Sequence, residues 1–322
     1  MIEKEKNILS VFDGISCGQI ALNRDRIEYD NYFSSEIDNY AITVTQNNYP
    51  NTKQLGDITK LHGKDLPPIY LMMGGSPCQG FSFAGKQLNF NDHRSKLFFE
   101  YVRLLEETNP KYFLLENVIM KQEFRDVISS YLGVQPIEIN SSLVSAQYRR
   151  RLYWTNIPDV ELPTDKKIFI KDILEHNVGG TRLVFDKNGM YYGVAKNKKG
   201  IVLEFDYPPP YSIYESRTEK ARLARRESMK LHGIDTNPRG PSYKEYRINK
   251  KDKCNCILTS RTELDCIIDW AYNYRPLTII EAERLQTVPY NYTNYASDSQ
   301  RWKMLGNGWT VDVIAHILSY MK

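Results

Sequence analysis

The sequence has little that is typical of a membrane, secreted or zinc-binding protein. No apolar run approaches the roughly 20 residues of a membrane span, and residues 1–6 are charged where a signal peptide is apolar. Five scattered cysteines favour a reducing compartment over a disulfide framework. Cys254 and Cys256 stand too close together for a usual zinc knuckle, and no second pair follows, so we interpret them as structural and predict no metal site. These features predict a globular protein of the cytoplasm.

The Gly-x-Gly-x-x-Gly motif of dinucleotide sites is also missing. The turn at residues 13–18 follows a predicted strand but has no third glycine to fit a pyrophosphate. Glu36 ends the next predicted strand, where a carboxylate can accept ribose hydroxyls. A nucleoside without a phosphate chain is therefore expected, and S-adenosylmethionine fits. We expect its ribose at Glu36, its adenine near Asp57 and Ile58, and its methionine end over Phe12, Asp13, Gly14 and Ile15.

The stretch around which the chain is organised is residues 74–82, Gly-Gly-Ser-Pro-Cys-Gln-Gly-Phe-Ser. The apolar run 69–73 before it, bounded by Pro68 and Gly74, predicts a buried strand. Cys78 then lies at the carboxyl edge of a sheet, where open α/β sheets bind their ligands. A single cysteine is most often only a small buried hydrophobe, so the surrounding residues decide its interpretation.

Those residues carry a family resemblance. The string Gly-Ser-Pro-Cys-Gln-Gly-Phe-Ser, continued by residues 84–87, Phe90, Asp92, Arg94 and residues 97–100, resembles the nucleophile loop of the cytosine-C5 DNA methyltransferases. It covers roughly the first half of the chain and the last fifty residues. Residues 12–15, residues 75–78 and the pair Gly308-Trp309 look closest to the animal de novo enzymes, although we expect a bacterial or phage source.

The resemblance implies covalent catalysis on a cytosine flipped out of duplex DNA. The Cys78 thiolate would add to C6, which makes C5 reactive toward the methyl group of S-adenosylmethionine and leaves S-adenosylhomocysteine as product. Glu116, in the family's Glu-Asn-Val, is the predicted acid at N3. Arg149 and Arg151, in Gln-x-Arg-x-Arg, are the predicted cations at O2. Their spacing on an extended segment puts both on one face, with Arg150 on the other.

The same resemblance extends the binding sites. The predicted additional cofactor contacts are Ile37, Pro77, Leu97, Asn307 and Trp309. We interpret residues 80–94 as a mobile lid that closes on DNA. The predicted DNA contacts in and before this lid are Gln79, Ser82, Lys86 and Arg94.

Alternating strands and helices predict an α/β fold, a doubly wound, Rossmann-like methyltransferase sheet. The alternation stops after Asn156, so we expect a catalytic domain at 1–157 and 275–322, split by a smaller target-recognition domain at 158–274. Residues 215–253 of that insert hold twelve Lys/Arg against six Asp/Glu. This excess indicates polyanion binding, with Arg217, Arg225 and Arg239 as predicted DNA contacts.

Two alternatives stay open. A tRNA cytosine-5 methyltransferase of this fold would carry a Cys-Phe-Thr motif, and the chain has none. A catalytically silent DNA-binding regulator would have lost Cys78, Glu116 or the arginine pair, and all are present. The predicted partner is double-stranded DNA, at the nucleoid, with no membrane and no obligate protein partner. A cognate restriction endonuclease is compatible with the sequence.

Overall fold

The computed structural model describes residues 5–76, 96–176, 178–179, 181–185, 191–193, 210–215, 246–248, 253–259, 266–268 and 273–321. Within these ranges, the backbone of the first half follows the predicted alternation of strands and helices.

A mostly parallel sheet forms the centre of the molecule. The first eight described strands are β1 (Asn7–Val11), β2 (Asn31–Ser35), β3 (Lys53–Gln54), β4 (Ile69–Gly75), β5 (Tyr112–Val118), β6 (Ile137–Asn140), β7 (Gln147–Tyr148) and β8 (Arg150–Thr155). Seven of them form one sheet in the order β3-β2-β1-β4-β5-β8-β6. Neighbours from β3 to β5 are parallel, whereas β8 runs antiparallel to both β5 and β6. From β1 the strands β2 and β3 are added on one side, and β4 and β5 are then added on the other side of β1. This reversal of strand order next to β1 is a topological switch point.

The central strands are apolar on both faces because helices cover both faces. Ile8 and Leu9 are adjacent in β1 but belong to different hydrophobic clusters, and so do Leu71 and Met72 in β4. Successive side chains of a strand point to opposite faces, and a strand buried on both sides reads as a continuous apolar run. That is why the run at 69–73 predicted a buried strand correctly.

The helices divide between these two clusters. They are α1 (Cys17–Arg24), α2 (Asn39–Asn48), α3 (Lys96–Thr108), α4 (Gln122–Leu132), α5 (Ile170–Ile173), α6 (Ile279–Leu285), α7 (Asp298–Asn307) and α8 (Val311–Leu318). Buried residues of α1, α2 and α8 pack on one face of the sheet, and those of α3 and α4 on the other. This arrangement confirms the predicted doubly wound fold. None of the helices in the described ranges is long and apolar enough to span a membrane.

A second, antiparallel sheet lies within the insert. Its strands are β9 (Thr181–Phe185), β10 (Tyr191–Gly193), β11 (Tyr211–Glu215), β12 (Tyr246–Ile248), β14 (Cys266–Ile268) and β15 (Asn273–Pro276), in the order β10-β9-β15-β14-β11-β12. The remaining strand, β13 (Cys254–Asn255), instead pairs in parallel with β7. β15 spans residues 273–276, and β13 links the insert to the first half of the chain through β7.

Candidate active site

Four of the predicted functional segments meet at the carboxyl edge of the central sheet. In the parallel registers Val11 is paired with both Ser35 and Gly74, and Gly75 is paired with Glu116. The turn after β1, the acid after β2, the segment after β4 and the end of β5 therefore lie side by side. This is the switch-point edge at which ligands of such sheets bind.

Glu116 is a nearly buried carboxyl group with a donor at each oxygen. Its side chain lies 2.9 Å from Arg151 Nε through Oε1, and Trp309 Nε1 donates to Oε2 at 3.1 Å. The paired strands β5 and β8 and the turn before α8 bring these groups together from residues far apart in sequence. Gly75 makes the approach possible, since a Cβ there would be 2.9 Å from Trp309 Nε1 and 3.1 Å from Glu116 Oε2.

The next residue of β5 ties this strand to the segment that leads into the Cys78 loop. Asn117 Nδ2 donates to Ser76 Oγ at 2.9 Å, and Asn117 Oδ1 accepts from the Val118 N–H at 2.8 Å. Both Ser76 and Asn117 are buried. A satisfied buried hydrogen bond of this kind fixes the position of Ser76 at the end of β4.

Arg149 and Arg151 share a face, as predicted, but their surroundings differ. Arg149 is 3% exposed, and its guanidinium donates to the carbonyl oxygens of Gly306 at 3.0 Å, Gly308 at 2.8 Å and Ile257 at 3.3 Å. Arg151 is half-buried and faces Glu116. Arg149 thus binds the backbone of two other segments, whereas Arg151 is the arginine in contact with the predicted catalytic carboxyl group.

The turn after β1 has a backbone conformation that few sequences adopt. Phe12, Gly14 and Ser16 all have positive φ, at 56°, 59° and 55°. The buried carboxylate of Asp13 holds this turn, accepting hydrogen bonds from Ser16 Oγ, from Tyr32 Oη at 2.8 Å and from Ser34 Oγ at 2.9 Å. Burial raises the pKa of Asp13, and these hydrogen bonds partly offset the rise. Asp13 therefore shapes the turn through its side chain.

Glu36 closes the same turn from the neighbouring strand. Its Oε2 accepts the Gly14 N–H at 2.8 Å, and its Oε1 accepts the N–H groups of Ile37 and Asp38, each at 2.8 Å. Three of the roughly four acceptor positions of the carboxylate are used, which leaves one for a ligand hydroxyl. Ile37 beside it is 73% exposed, which is a large exposed fraction for an apolar residue.

The other predicted cofactor residues occupy varied positions. Asp57 caps the short 3₁₀ turn Ile58–Lys60, and hydrogen bonds from Thr59 lower the pKa of its carboxyl group. The side chains of Ile15 and Ile58 are buried in the core. Leu97 is half-buried beside α3's cluster, and Asn307 is exposed at the end of α7.

Similarity to known proteins identifies the family. The profile of the family described as C-5 cytosine-specific DNA methylase matches residues 6–129 and 138–322.

The chain belongs to the C-5 cytosine-specific DNA methylase family.

Named relatives agree with this assignment. The type II methyltransferase M1.ScrFI of Lactococcus lactis subsp. cremoris is 29% identical over 338 residues, covering 98% of this chain and 77% of that protein. The orphan methyltransferase M.Rho11sI of Bacillus phage rho11s is 42% identical over 195 residues, covering 60% of this chain but 37% of that protein. The fold resembles that of the Entamoeba histolytica methyltransferase EhMeth, with a TM-score of 0.62, 18% identity and coverage of 99% and 98% of the two chains. The predicted DNA (cytosine-5) methyltransferase is thus confirmed.

Several predicted site residues of this methylase lie outside the described residues. They are Pro77, Cys78, Gln79, Ser82, Lys86 and Arg94 around the predicted lid, and Arg217, Arg225 and Arg239 in the insert. Their roles remain predictions from the sequence.

Two contacts in the methylase were not anticipated. Trp309, predicted as a cofactor contact, donates to Glu116, and Cys256, interpreted as structural, accepts a hydrogen bond from Arg149 Nη1 at 3.0 Å. No cluster of metal-ligating side chains occurs within the described ranges. Because both contacts join segments more than 100 residues apart, no local pattern could have predicted them.

Proposed function

We propose that this methylase transfers a methyl group from S-adenosylmethionine to C5 of a cytosine flipped out of duplex DNA, with Cys78 as the nucleophile. The observation that carries the proposal is the pairing of Gly75 with Glu116 in adjacent parallel strands, which puts the predicted acid beside the strand that leads into Cys78. The Asn117–Ser76 hydrogen bond supports a fixed departure point for that loop.

In this proposal the thiolate of Cys78 adds to C6 of the base, and negative charge develops at N3 and O2. Glu116 exchanges a proton at N3, and Arg151 supplies positive charge on the O2 side. The donors on both oxygens of Glu116, Arg151 Nε and Trp309 Nε1, restrict its rotation, so the carboxyl group meets the base in one orientation. Arg149 has a supporting role here, since carbonyl oxygens already surround its guanidinium.

The residues at the sheet edge fit S-adenosylmethionine. Glu36 keeps an acceptor position for a ribose hydroxyl, and exposed Ile37 offers an apolar surface to an adenine ring. Nothing lies within 4 Å of a Cβ built on Gly14, so the turn has open space above it. The cofactor supplies an electrophilic methyl group on a sulfonium. The chain's own contribution is to orient it with Glu36 and the Phe12–Gly14 backbone.

The target-recognition region is proposed to read DNA through residues 158–274. Its basic excess provides phosphate contacts, and base reading requires side chains in a groove. The named relatives include type II and orphan phage methyltransferases. We therefore propose duplex DNA as substrate, with or without a cognate endonuclease.

Incubation with methyl-labelled cofactor and either duplex DNA or tRNA tests the proposal. Label should enter duplex DNA, and sequencing of plasmid from an expressing host should reveal 5-methylcytosine at one recurring motif. Cys78→Ala should abolish both results. Label in tRNA alone, or DNA binding without transfer by the wild-type protein, would contradict the proposal and favour one of the two alternatives.

A further inference from the structure

The segment 253–259 of the insert is built into the catalytic half of the molecule. The Cys254 N–H donates to the Ala146 carbonyl at 2.7 Å, and Cys254 and Asn255 pair with Gln147 and Tyr148. A Cβ at Gly306 would overlap the backbone of Leu258, so this segment also packs closely on the end of α7. The contacts fix Cys256 between the central sheet and the loop that carries Trp309.

Cys256 contacts both arginines of the catalytic face. Its Sγ accepts from Arg149 Nη1 at 3.0 Å and lies 3.9 Å from Arg151 Nη2. As a thiol it can instead donate to its neighbour's carbonyl, Ile257 O, at 3.4 Å. Burial alone would raise the pKa of the thiol, but the two guanidinium charges and their hydrogen bonds outweigh it, so the pKa of Cys256 is lowered.

Arg151 has a partner at each of its three side-chain nitrogens, and its Nη1 donates to the carbonyl oxygen of Arg150 at 2.9 Å. Its Nε meets Glu116 Oε1 at 2.9 Å, and its Nη2 faces the sulfur. A planar guanidinium that is fixed at both ends cannot rotate about its long axis without losing one contact. An alanine at 256 would remove the contact at Nη2 and with it one of the restraints on the orientation of the guanidinium.

We propose that Cys256 is a positioning residue for methyl transfer, holding the guanidinium of Arg151 in the orientation that meets Glu116. The inference rests on the proposed function, because it concerns the same site. It also explains how a segment of the insert can influence the catalytic carboxyl group.

Single-turnover methylation with saturating cofactor and DNA tests this role. Cys256→Ala should lower the rate about tenfold, and Cys256→Ser, which keeps an acceptor, should lower it only about threefold. Cofactor affinity should not change. The matched control is Cys254→Ala, two residues earlier in β13 and with its side chain in the main core, and it should leave the rate unchanged. In an Arg151→Gln background, Cys256→Ala should have less than about a twofold effect, because the two residues act as one unit.

A measurement without turnover accompanies the kinetics. The rate at which iodoacetamide alkylates Cys256 is measured across pH by peptide mass spectrometry. The pH of the half-maximal rate should be higher in Arg151→Gln, since a positive charge beside the thiolate is lost. Arg149 and Arg151 are the charged groups that face the sulfur in the described residues.

The outcomes separate this inference from the proposed function. Suppose that the wild-type protein methylates DNA. The positioning role is then wrong if Cys256→Ala has the wild-type rate, or if Cys256→Ala lowers the rate by the same factor in the Arg151→Gln background as in the wild-type background. If the wild-type protein methylates no DNA, the proposed function fails. The alkylation profile then still decides whether Cys256 and Arg151 are in contact, and identical profiles would overturn the contact.

Discussion

Three consecutive arginines of the chain have three different surroundings, and each predicts a different experimental result. Arg149 is buried and donates to three carbonyl oxygens of two segments. Arg150 is exposed and pairs with Glu138 at 2.6 Å, and Arg151 faces Glu116. Replacing each by lysine preserves the charge but removes the planar fork of donors, so the comparison isolates what the fork does at each position.

The largest loss of stability is expected for Arg149→Lys. A lysine ammonium can replace one of the three carbonyl contacts, which leaves two buried carbonyl oxygens without that donor. The oxygens of Gly308 and Ile257 each keep another donor, Gln286 Nε2 and Cys256 Sγ, so about 1–2 kcal/mol applies to each lost contact and the free energy of unfolding should fall by about 2–4 kcal/mol. For a chain of 322 residues the midpoint of thermal unfolding should then drop by roughly 3–6 °C.

Thermal unfolding and single-turnover methylation of the three variants form the assay. Arg150→Lys is the matched control and should change neither the midpoint nor the rate, because exposed ion pairs contribute little. Arg151→Lys should keep a midpoint close to that of the wild type but lose about 10- to 100-fold in rate, through its contact with Glu116. Equal midpoints for Arg149→Lys and Arg150→Lys would refute the reasoning about buried carbonyls.

Three further predictions concern the cofactor site, pH and specificity. Glu36→Ala should weaken cofactor binding by about 1–3 kcal/mol in calorimetry, whereas Glu116→Gln should bind cofactor normally and turn over slowly; the reverse pattern would exchange their roles. Burial raises the pKa of Asp13 in the folded state, so its contribution to stability is complete below the unfolded pKa of about 3.9 and is lost as pH rises through the folded pKa. Asp13→Asn should therefore flatten the pH dependence of the unfolding free energy over that window, and an unchanged profile would show that Asp13 is not the group responsible. Exchange of residues 158–274 for those of a relative should transfer the relative's methylated sequence, and an active chimera that keeps the original target would place specificity elsewhere.

The central sheet could be predicted from the sequence because its central strands are short apolar runs, a pattern that can be recognised without knowledge of distant residues. Apolar runs such as 69–73 are buried on both faces by helices, and turns follow each run. The cap of α6 is equally local, since Thr278 Oγ1 accepts from the Glu281 N–H and the Glu281 carboxylate accepts from the Thr278 N–H. The structure confirms the strand predicted at 69–73, which is part of β4.

The strand pairing of the insert and the contacts that hold Arg149 could not be predicted from local sequence patterns. The antiparallel sheet of the insert pairs β9 with β15, strands separated by nearly the whole insert, and β13 leaves this sheet to join β7. Helix α7 was not predicted. Arg149 was predicted as a second substrate contact because the pattern shows only that it shares a face with Arg151. Its burial by Gly306, Gly308 and Ile257 depends on segments that the pattern does not contain.

Covalent trapping tests the central claim most directly. A pool of random-sequence duplexes carrying 5-fluorocytosine in place of cytosine, incubated with the protein and S-adenosylmethionine, should give a denaturation-resistant protein–DNA adduct, because fluorine cannot leave C5 as a proton does. Peptide mapping should place the adduct on Cys78, and Cys78→Ala should give none. Methylation of ordinary DNA without any trapped adduct, or an adduct on another residue, would contradict the assignment of Cys78 as the nucleophile.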